Sequence, residues 1–386
     1  MTEVVKKKSN RVIRLLASTD VFLVALFWLM ILTVFGTIAQ KDMGLFAAQK
    51  KFFSSFFFWQ GYIPFPGTRL VLVVMFINLL FKLIFETGLE KKYLGIVISH
   101  LGTFLLLVGG FLTAYFSFEG RMILEEGSTV AVVSSYHQRE LAVINMANKE
   151  YDEVTAFRQG WLRVGRELKS SSLPFSMKII NFYRNSNLQQ RKEPAHPDYR
   201  GTAKNFEVQE APELKEDARN ISAVIFKIAG SAKETDGIYF LREDTRLNMN
   251  LKIGDATYEF FLRREERRLP FSIHLLDFEK KFHPGTRMAK SYKSVVNLIS
   301  GETKRRVVIQ MNEPLRYQGY TFYQSSYIDS GKVEISILAV VKNLGRDFPY
   351  IASLVICLGL LLHLILHIPK LLARFEPPIS KEEEVN

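Results

Sequence analysis

LGIVISHLGTFLLLVGGFLTAYF, residues Leu94–Phe116, decides the fold. It holds no Asp, Glu, Lys or Arg, and a single imidazole, His100. A helix rises about 1.5 Å per residue, so roughly 20 apolar residues cross the hydrocarbon of a bilayer, and this run is long enough unaided. Outward from it lie three further apolar runs, at residues 21–39 (VFLVALFWLMILTVFGTIA), 70–86 (LVLVVMFINLLFKLIFE) and 349–368 (PYIASLVICLGLLLHLILHI). The run at 70–86 is the weakest because it contains Asn78 and Lys82. Lys82 lies near one end and can snorkel, and Ile63–Leu70 would lengthen the span. Lys6, Lys7, Lys8, Arg11 and Arg14 precede the first run as they would in a signal peptide. That run is too long for a signal h-region and no small-x-small site follows it, so it reads as a span.

The expected fold is a membrane α-helical protein of four transmembrane helices with a large, mainly antiparallel β extracytoplasmic domain. A cytoplasmic segment would occupy 1–20, three spans 21–116 with an aromatic outer loop near 41–69, the β-rich domain 117–348, the fourth span 349–368 and a cytoplasmic tail 369–386. Basic residues in short loops stay on the cytoplasmic side, which puts the N-terminal cluster inside, together with Lys91, Lys92 and the tail from Lys370. Lys41, Lys50, Lys51 and Arg69 in the first outer loop vote the other way. The many basic residues of 117–348 do not count, because long translocated domains escape the rule. In the aromatic loop, KKFFSSFFFWQGYIPFPG (50–67), the density of rings suits a membrane interface, as an anchoring surface or re-entrant helix rather than a ligand pocket.

Within 117–348, runs at Ser222–Ala229, Tyr258–Arg264, Ser294–Ile299, Arg306–Met311, Tyr320–Ser326 and Val333–Val341 place β-branched or aromatic residues at alternate positions, the mark of half-buried strands. Ser300–Gly301 and Asp329–Ser330–Gly331 read as hairpin turns. Arg184–Asn220 is polar, carries Pro194, Pro197 and Pro212, and reads as a long loop or partly disordered excursion.

The 386 residues carry a net charge of +12. With spans present, the excess suits anionic lipid and acidic partners, and no nucleic-acid partner is expected. One cysteine, Cys357, lies inside the fourth run, so neither a disulfide framework nor a CxxC thiol pair is available. The chain shows no GxSxG, Walker loop, HExxH or dinucleotide fingerprint, and no catalytic residue is assigned.

An ionisable group inside a span usually faces a partner or a function, which singles out His100, about 9 Å from the Leu94 end. Imidazole is an axial ligand of haem iron, and Gly95, Ser99, Gly102 and Thr103 would let a helix or a flat ligand approach closely. An interhelical hydrogen bond from a neutral His100 is the competing reading. His363 and His367 lie four apart on one helix face, and His363, about 8 Å from the inner end, falls near the depth of His100. A bis-histidine site of His100 and His363 is therefore open. His137, His196, His274 and His283 match no zinc pattern.

The run MNEPLRYQGYTFYQSSY (Met311–Tyr327) resembles the hallmark of the ResB family, also called CcsB, of cytochrome c biogenesis proteins. LPFSIHLLDFEKKFHPGT (Leu269–Thr286), AKSYKSVVNL (Ala289–Leu298), GRDFPYIASLVICLGLLLHL (Gly345–Leu364) and EGRMILEEG (Glu119–Gly127) are similar to the same family. The resemblance implies a system II subunit in the bacterial cytoplasmic (inner) membrane that binds haem b and delivers it to apocytochrome c outside. It implies a CcsA/ResC-type membrane partner, together forming a holocytochrome c synthase, with a thioredoxin-like thiol reductase also among the partners. The family's third-span histidine matches His100 as an iron ligand, and its counterpart is expected from the partner, in competition with His363. Lys82, Lys91 and Lys92 are candidates for the haem propionates or simple positive-inside anchors. The reading from another class is a membrane-anchored sensor or assembly scaffold with a protein-binding β domain and no haem. For the hallmark run, Asn312-Glu-Pro is expected to turn, with Tyr320, Phe322 and Gln324 on one strand face, and loss of Tyr323 is expected to lower the amount of folded protein.

Overall fold

The computed structural model describes residues 11–86, 90–147, 152–192, 194, 196–244, 249–286, 289–329 and 333–372. Lys6–Lys8, the turn residues Ser330 and Gly331 and most of the tail lie outside the described residues. The chain forms two compact units, one helical and one of β-sheet.

The helical unit comprises α1 (Arg11–Leu16), α2 (Thr19–Met43), α3 (Leu45–Ala48), α4 (Thr68–Phe81), α5 (Leu94–Phe116) and α6 (Phe348–Leu372). Arg11–Met43, Thr68–Phe85, Lys91–Phe116 and Phe348–Ile368 are each long and apolar enough to cross a membrane. Phe27, Val34 and Ile38 of α2 and Leu354, Leu361 and Ile365 of α6 are exposed, as side chains solvated by lipid must be. The protein is a multi-pass membrane protein.

Glycine governs how α5 meets α6. Gly95, Gly102 and Gly109 fall seven residues apart, so they share one face of α5, and a Cβ on any of them would strike α6. At Gly95 it would lie 2.6 Å from His363 Cα, at Gly102 2.6 Å from Ile356 Cγ1, and at Gly109 against Phe348. Gly359 of α6 makes the reciprocal approach to Ser99. Apolar side chains gain nothing by leaving lipid for each other, so such backbone proximity is what holds membrane helices together.

The polar residues of the second span explain themselves by contact. Asn78, 3% exposed, donates from Nδ2 to the Leu16 and Ser18 carbonyls at 2.7 and 2.8 Å, satisfying the break between α1 and α2. Lys82 Nζ donates to Thr19 Oγ1 at 3.0 Å. α4 does not extend back to Ile63. That stretch is instead β2 (Ile63–Pro66), paired with β1 (Phe57–Gln60) in a hairpin turned at Gly61, whose φ of +61° favours glycine. The aromatic loop is thus a short helix, a π turn (Gln49–Phe53) and a hairpin, not a surface helix. Pro64, Pro66 and its strand-favouring aromatic rings work against helix there. Trp28 Nε1 donates to the Pro66 carbonyl at 3.0 Å and its ring stacks on Phe65, tying the hairpin to α2.

The β unit is mainly antiparallel. Its strands are β3 (Phe118–Glu125), β4 (Thr129–Asn145), β5 (Glu153–Arg158), β6 (Glu167–Leu168), β7 (Ser176–Tyr183), β8 (Ser186–Gln190), β9 (Phe206–Glu210), β10 (Ala223–Ala229), β11 (Gly237–Arg242) and β12 (Met249–Ile253). There follow β13 (Ala256–Phe282), β14 (Ala289–Ser300), β15 (Thr303–Gln310), β16 (Leu315–Tyr317), β17 (Tyr320–Asp329) and β18 (Glu334–Lys342). A ten-stranded sheet runs β15-β14-β13-β4-β3-β18-β17-β16, with β12 added on β13 and β5 on β4, and a four-stranded sheet runs β11-β10-β7-β6. Two cores result. One packs Met122, Phe271, Ile273, Phe322 and Leu338, and the other Leu141, Met177, Phe226, Tyr239 and Phe260. The 27 residues of β13 line both.

Two expectations require correction. Arg184–Asn220 is not a loop, because β8 and β9 pair within it and Val208 packs with Ala203, Ala223 and Phe240 in a small core. A polar hairpin that buries so few side chains leaves little periodicity to read. Tyr323 is 39% exposed, whereas Tyr320, Phe322 and Gln324 are 6%, 0% and 6% exposed, so the load falls on the opposite face of β17. Buried Gln324 is satisfied there, accepting from Ser294 Oγ at 2.6 Å and donating to Ser336 Oγ at 3.1 Å. Gln318 and Gly319, both at positive φ, make the two-residue turn between β16 and β17.

Candidate functional site

His100 lines a pocket of about 190 Å³ with Thr19, Phe22, Asn78, Leu79, Lys82, Ser99 and Thr103. Three helical segments supply it: the start of α2, the C-terminal end of α4 with its π turn (Lys82–Glu86), and the first three turns of α5. Asn78 and Lys82 also bind the chain around Thr19, so the bonds that close the α1–α2 break shape the pocket wall.

The orientation of the imidazole follows from its partner. His100 Nδ1 lies 2.8 Å from the Ile96 carbonyl oxygen, which can only accept, so Nδ1 carries the proton. In the neutral ring this tautomer keeps the lone pair on Nε2, the form in which an imidazole binds iron. Ser99 and Thr103 direct their hydroxyls to the Gly95 and Ser99 carbonyls, which satisfies them within α5. Gly95 and Gly102 are filled by α6, so of the small residues around His100 only Ser99 and Thr103 line the pocket.

The structure does not bring His363 to this pocket. His363 packs against Gly95 and stands level with it, nearer the N-terminal end of α5 than His100, and Gly359 stands level with Ser99. The rings of His363 and His367 meet at a tilt of 34° with centroids 4.1 Å apart, and His367 Nδ1 donates to the His363 carbonyl at 2.8 Å. His363 Nδ1 is buried without a hydrogen-bond partner. Of the three basic candidates, Lys82 joins His100 in the pocket, while Lys92 pairs with Glu90 at 2.7 Å. A larger apolar cavity of about 430 Å³ lies between α2 and α4, lined by Val24, Trp28, Pro66 and Leu70 among others, but it contains no histidine and its one ionisable wall residue is Asp20.

In the β unit the histidines serve local structure. His137 Nδ1 meets Asp217 at 2.7 Å and His274 Nδ1 meets Thr129 Oγ1 at 2.9 Å. Among the described residues no group of His, Cys, Asp and Glu is placed to hold a metal ion. The pocket's neighbours Thr19 and Asn78 gave no signal in the sequence as site residues, since only folding brings α2 and α4 to α5.

Residues 225–346 match the ResB-like family. Protein NrfI of Wolinella succinogenes is 26% identical over 273 residues, a stretch covering 69% of this chain and 27% of that protein. The chain thus spans about a quarter of the length of the curated relative it matches. These matches, beside four apolar helices and the antiparallel domain they enclose in sequence, make the chain similar to the ResB-like family over residues 225–346.

Proposed function

We propose that the chain is a membrane subunit of a cytochrome c biogenesis complex that holds haem b as cargo, with His100 as an iron ligand. The observation that carries the reading is the fixed tautomer of His100: its Nδ1 is committed to the Ile96 carbonyl in a pocket that also presents Lys82. Haem is a flat, largely apolar molecule with two propionates, so it calls for an imidazole with an available lone pair, an apolar wall and a cation. His100, Phe22 with Leu79, and Lys82 supply them in turn.

The residues fit one edge of such a ligand. A pocket of about 190 Å³ is smaller than a porphyrin, so the rest of the ring must be covered from outside these helices. A CcsA/ResC-type membrane protein is the partner proposed for that cover and for the second axial ligand, in preference to His363, which packs elsewhere. The β unit is proposed to lie on the extracytoplasmic side of the bacterial cytoplasmic membrane, where apocytochrome c would meet it. Cys357 is the one cysteine in the 386 residues and lies in α6. Keeping the apocytochrome thiols reduced therefore falls to another protein, for which a thioredoxin-like reductase is suited.

His100→Ala tests the reading. The variant should insert normally, lose the Soret absorption of the complex purified with its partner, and stop cytochrome c maturation, with partial rescue by imidazole in the medium. Retention of normal haem content and spectrum by the alanine variant would remove His100 as ligand and leave the interhelical hydrogen bond as its role.

A further inference from the structure

A knot of charge lies between the two cores of the β unit. Arg139 of β4 stands directly opposite Arg264 of β13, a cross-strand pair of like charges. Glu243 separates them, with Oε2 3.0 Å from Arg139 Nε and Oε1 3.4 Å from Arg264 Nε. Asp217 accepts from Arg184 Nη2 at 2.6 Å and lies 3.7 Å from Arg139 Nη1, and Arg184 Nε reaches Glu213 at 3.2 Å. These three arginines are matched by three carboxylates.

A fourth arginine is not matched. Arg121 of β3 opposes Ser134 of β4, which puts it on the face that carries Tyr136 two residues further along. Its Nε is buried without a hydrogen-bond partner, and among the described residues no ion pair reaches its guanidinium. Exposed Glu119 lies on the same side of β3 and forms no ion pair with it. The environment registers the stray charge. Burial pushes the Tyr136 phenol up, Arg121 draws it partly back, and the charge of Glu119 adds a smaller upward push. Burial and the charges of Arg139 and Arg121 lower the Arg264 guanidinium, against the pull of Glu243.

A partly buried guanidinium with an unsatisfied Nε is costly, and in a native fold such a group points to a partner that arrives from outside. We propose that Arg121, flanked by Arg264 and Tyr136, binds a single carboxylate, carried either by a small acid or by an acidic side chain of a polypeptide. The unsatisfied guanidinium of Arg121 calls for an acceptor, and its planar fork can take both oxygens of one carboxylate at once. The inference is independent of the haem reading, since every residue in it belongs to the β unit.

The test uses the purified full-length chain in detergent and follows its thermal midpoint by intrinsic fluorescence. One arm titrates sodium acetate against sodium chloride at equal ionic strength, and the other a capped peptide containing one glutamate against the same peptide with glutamine. A saturable rise in the midpoint with a carboxylate, absent from its control, is expected. Acetate responding would identify a small-acid site, and the glutamate peptide alone responding would identify a polypeptide site. R121Q should weaken the apparent affinity about tenfold or more without lowering the midpoint in the absence of ligand, because it removes an unpaired charge. R305Q, at an exposed arginine of edge strand β15, should respond as the parent does. Absence of a saturable response in the parent, or an unchanged response in R121Q, overturns the proposal. Should R121Q fail to accumulate, R121K decides, since it keeps the charge and loses the fork: unaltered affinity in R121K overturns the proposal as well.

Discussion

Two glycines eight residues apart on α5 should respond to alanine with opposite signs. At Gly102 the new Cβ would lie 2.6 Å from Ile356 Cγ1, 2.9 Å from Ile356 N and 3.0 Å from the Ala352 carbonyl. The Ile356 side chain could rotate away, but the two backbone atoms can move only with α6. Ordinary contact begins near 3.5 Å, so the helices must part by roughly 0.5 Å, enough to forfeit about a quarter of the dispersion energy along the seam. Overpacking of this kind costs about 1–3 kcal/mol, and the better helix propensity of alanine returns at most about 1 kcal/mol. Gly102→Ala should therefore destabilise by about 1–2 kcal/mol. At Gly110 a Cβ meets nothing within 4 Å, so Gly110→Ala should stabilise by up to about 1 kcal/mol. Unfolding of the purified protein in mixed micelles, titrated with a denaturing detergent and followed by circular dichroism, measures both. Equal effects, or a Gly102→Ala variant as stable as the parent, would show that the seven-residue glycine row does not set the α5–α6 distance.

In the β unit, Phe322→Ala should cost about 3–5 kcal/mol and sharply reduce folded protein, while Tyr323→Ala, on the exposed face, should change stability by less than about 1 kcal/mol, both read from denaturant midpoints. Asp217→Asn should cost about 1–3 kcal/mol at neutral pH, because Arg184 and Arg139 each lose one of two carboxylates and keep Glu213 and Glu243. Burial pushes the Asp217 carboxyl up, but hydrogen bonds from His137 and Arg184 and the charges of Arg184 and Arg139 outweigh it, holding the pKa well below the ordinary 3.8. A depressed folded pKa gives stability that is present above the unfolded value and is lost as pH falls below it. The parent's thermal midpoint should therefore drop more steeply below pH 4 than that of the asparagine variant.

The helices were legible because lipid leaves no ambiguity. A run such as 94–116 without formal charge has few other places to fold, and three of the four spans announce themselves this way. α4 was harder to read because its polar residues bond to a break in a neighbouring helix that no local pattern reveals. Strands with one buried face, such as β17 and β18, showed their alternation plainly. The latter part of β4 did not, since Arg139–Val143 is buried without interruption, and a strand covered on both faces loses the period of two. His100 could be singled out by its cost in hydrocarbon, but its tautomer and its companions Thr19 and Lys82 depend on contacts between helices distant in sequence.

β13 has a mechanical consequence. Its 27 residues would measure about 90 Å if straight, yet its pairing with β4 shifts register between Arg264 and Glu266 and again between Arg268 and Ile273. Each dislocation bends the strand and adds twist, so one continuous backbone turns a corner and serves as a shared spar for two sandwiches of side chains. Neither half can melt and leave the other its full complement of ladder bonds. Amides as far apart as Leu262 and Ile273 should therefore exchange with solvent in the same opening event, and the region should fail, when it fails, as a single piece.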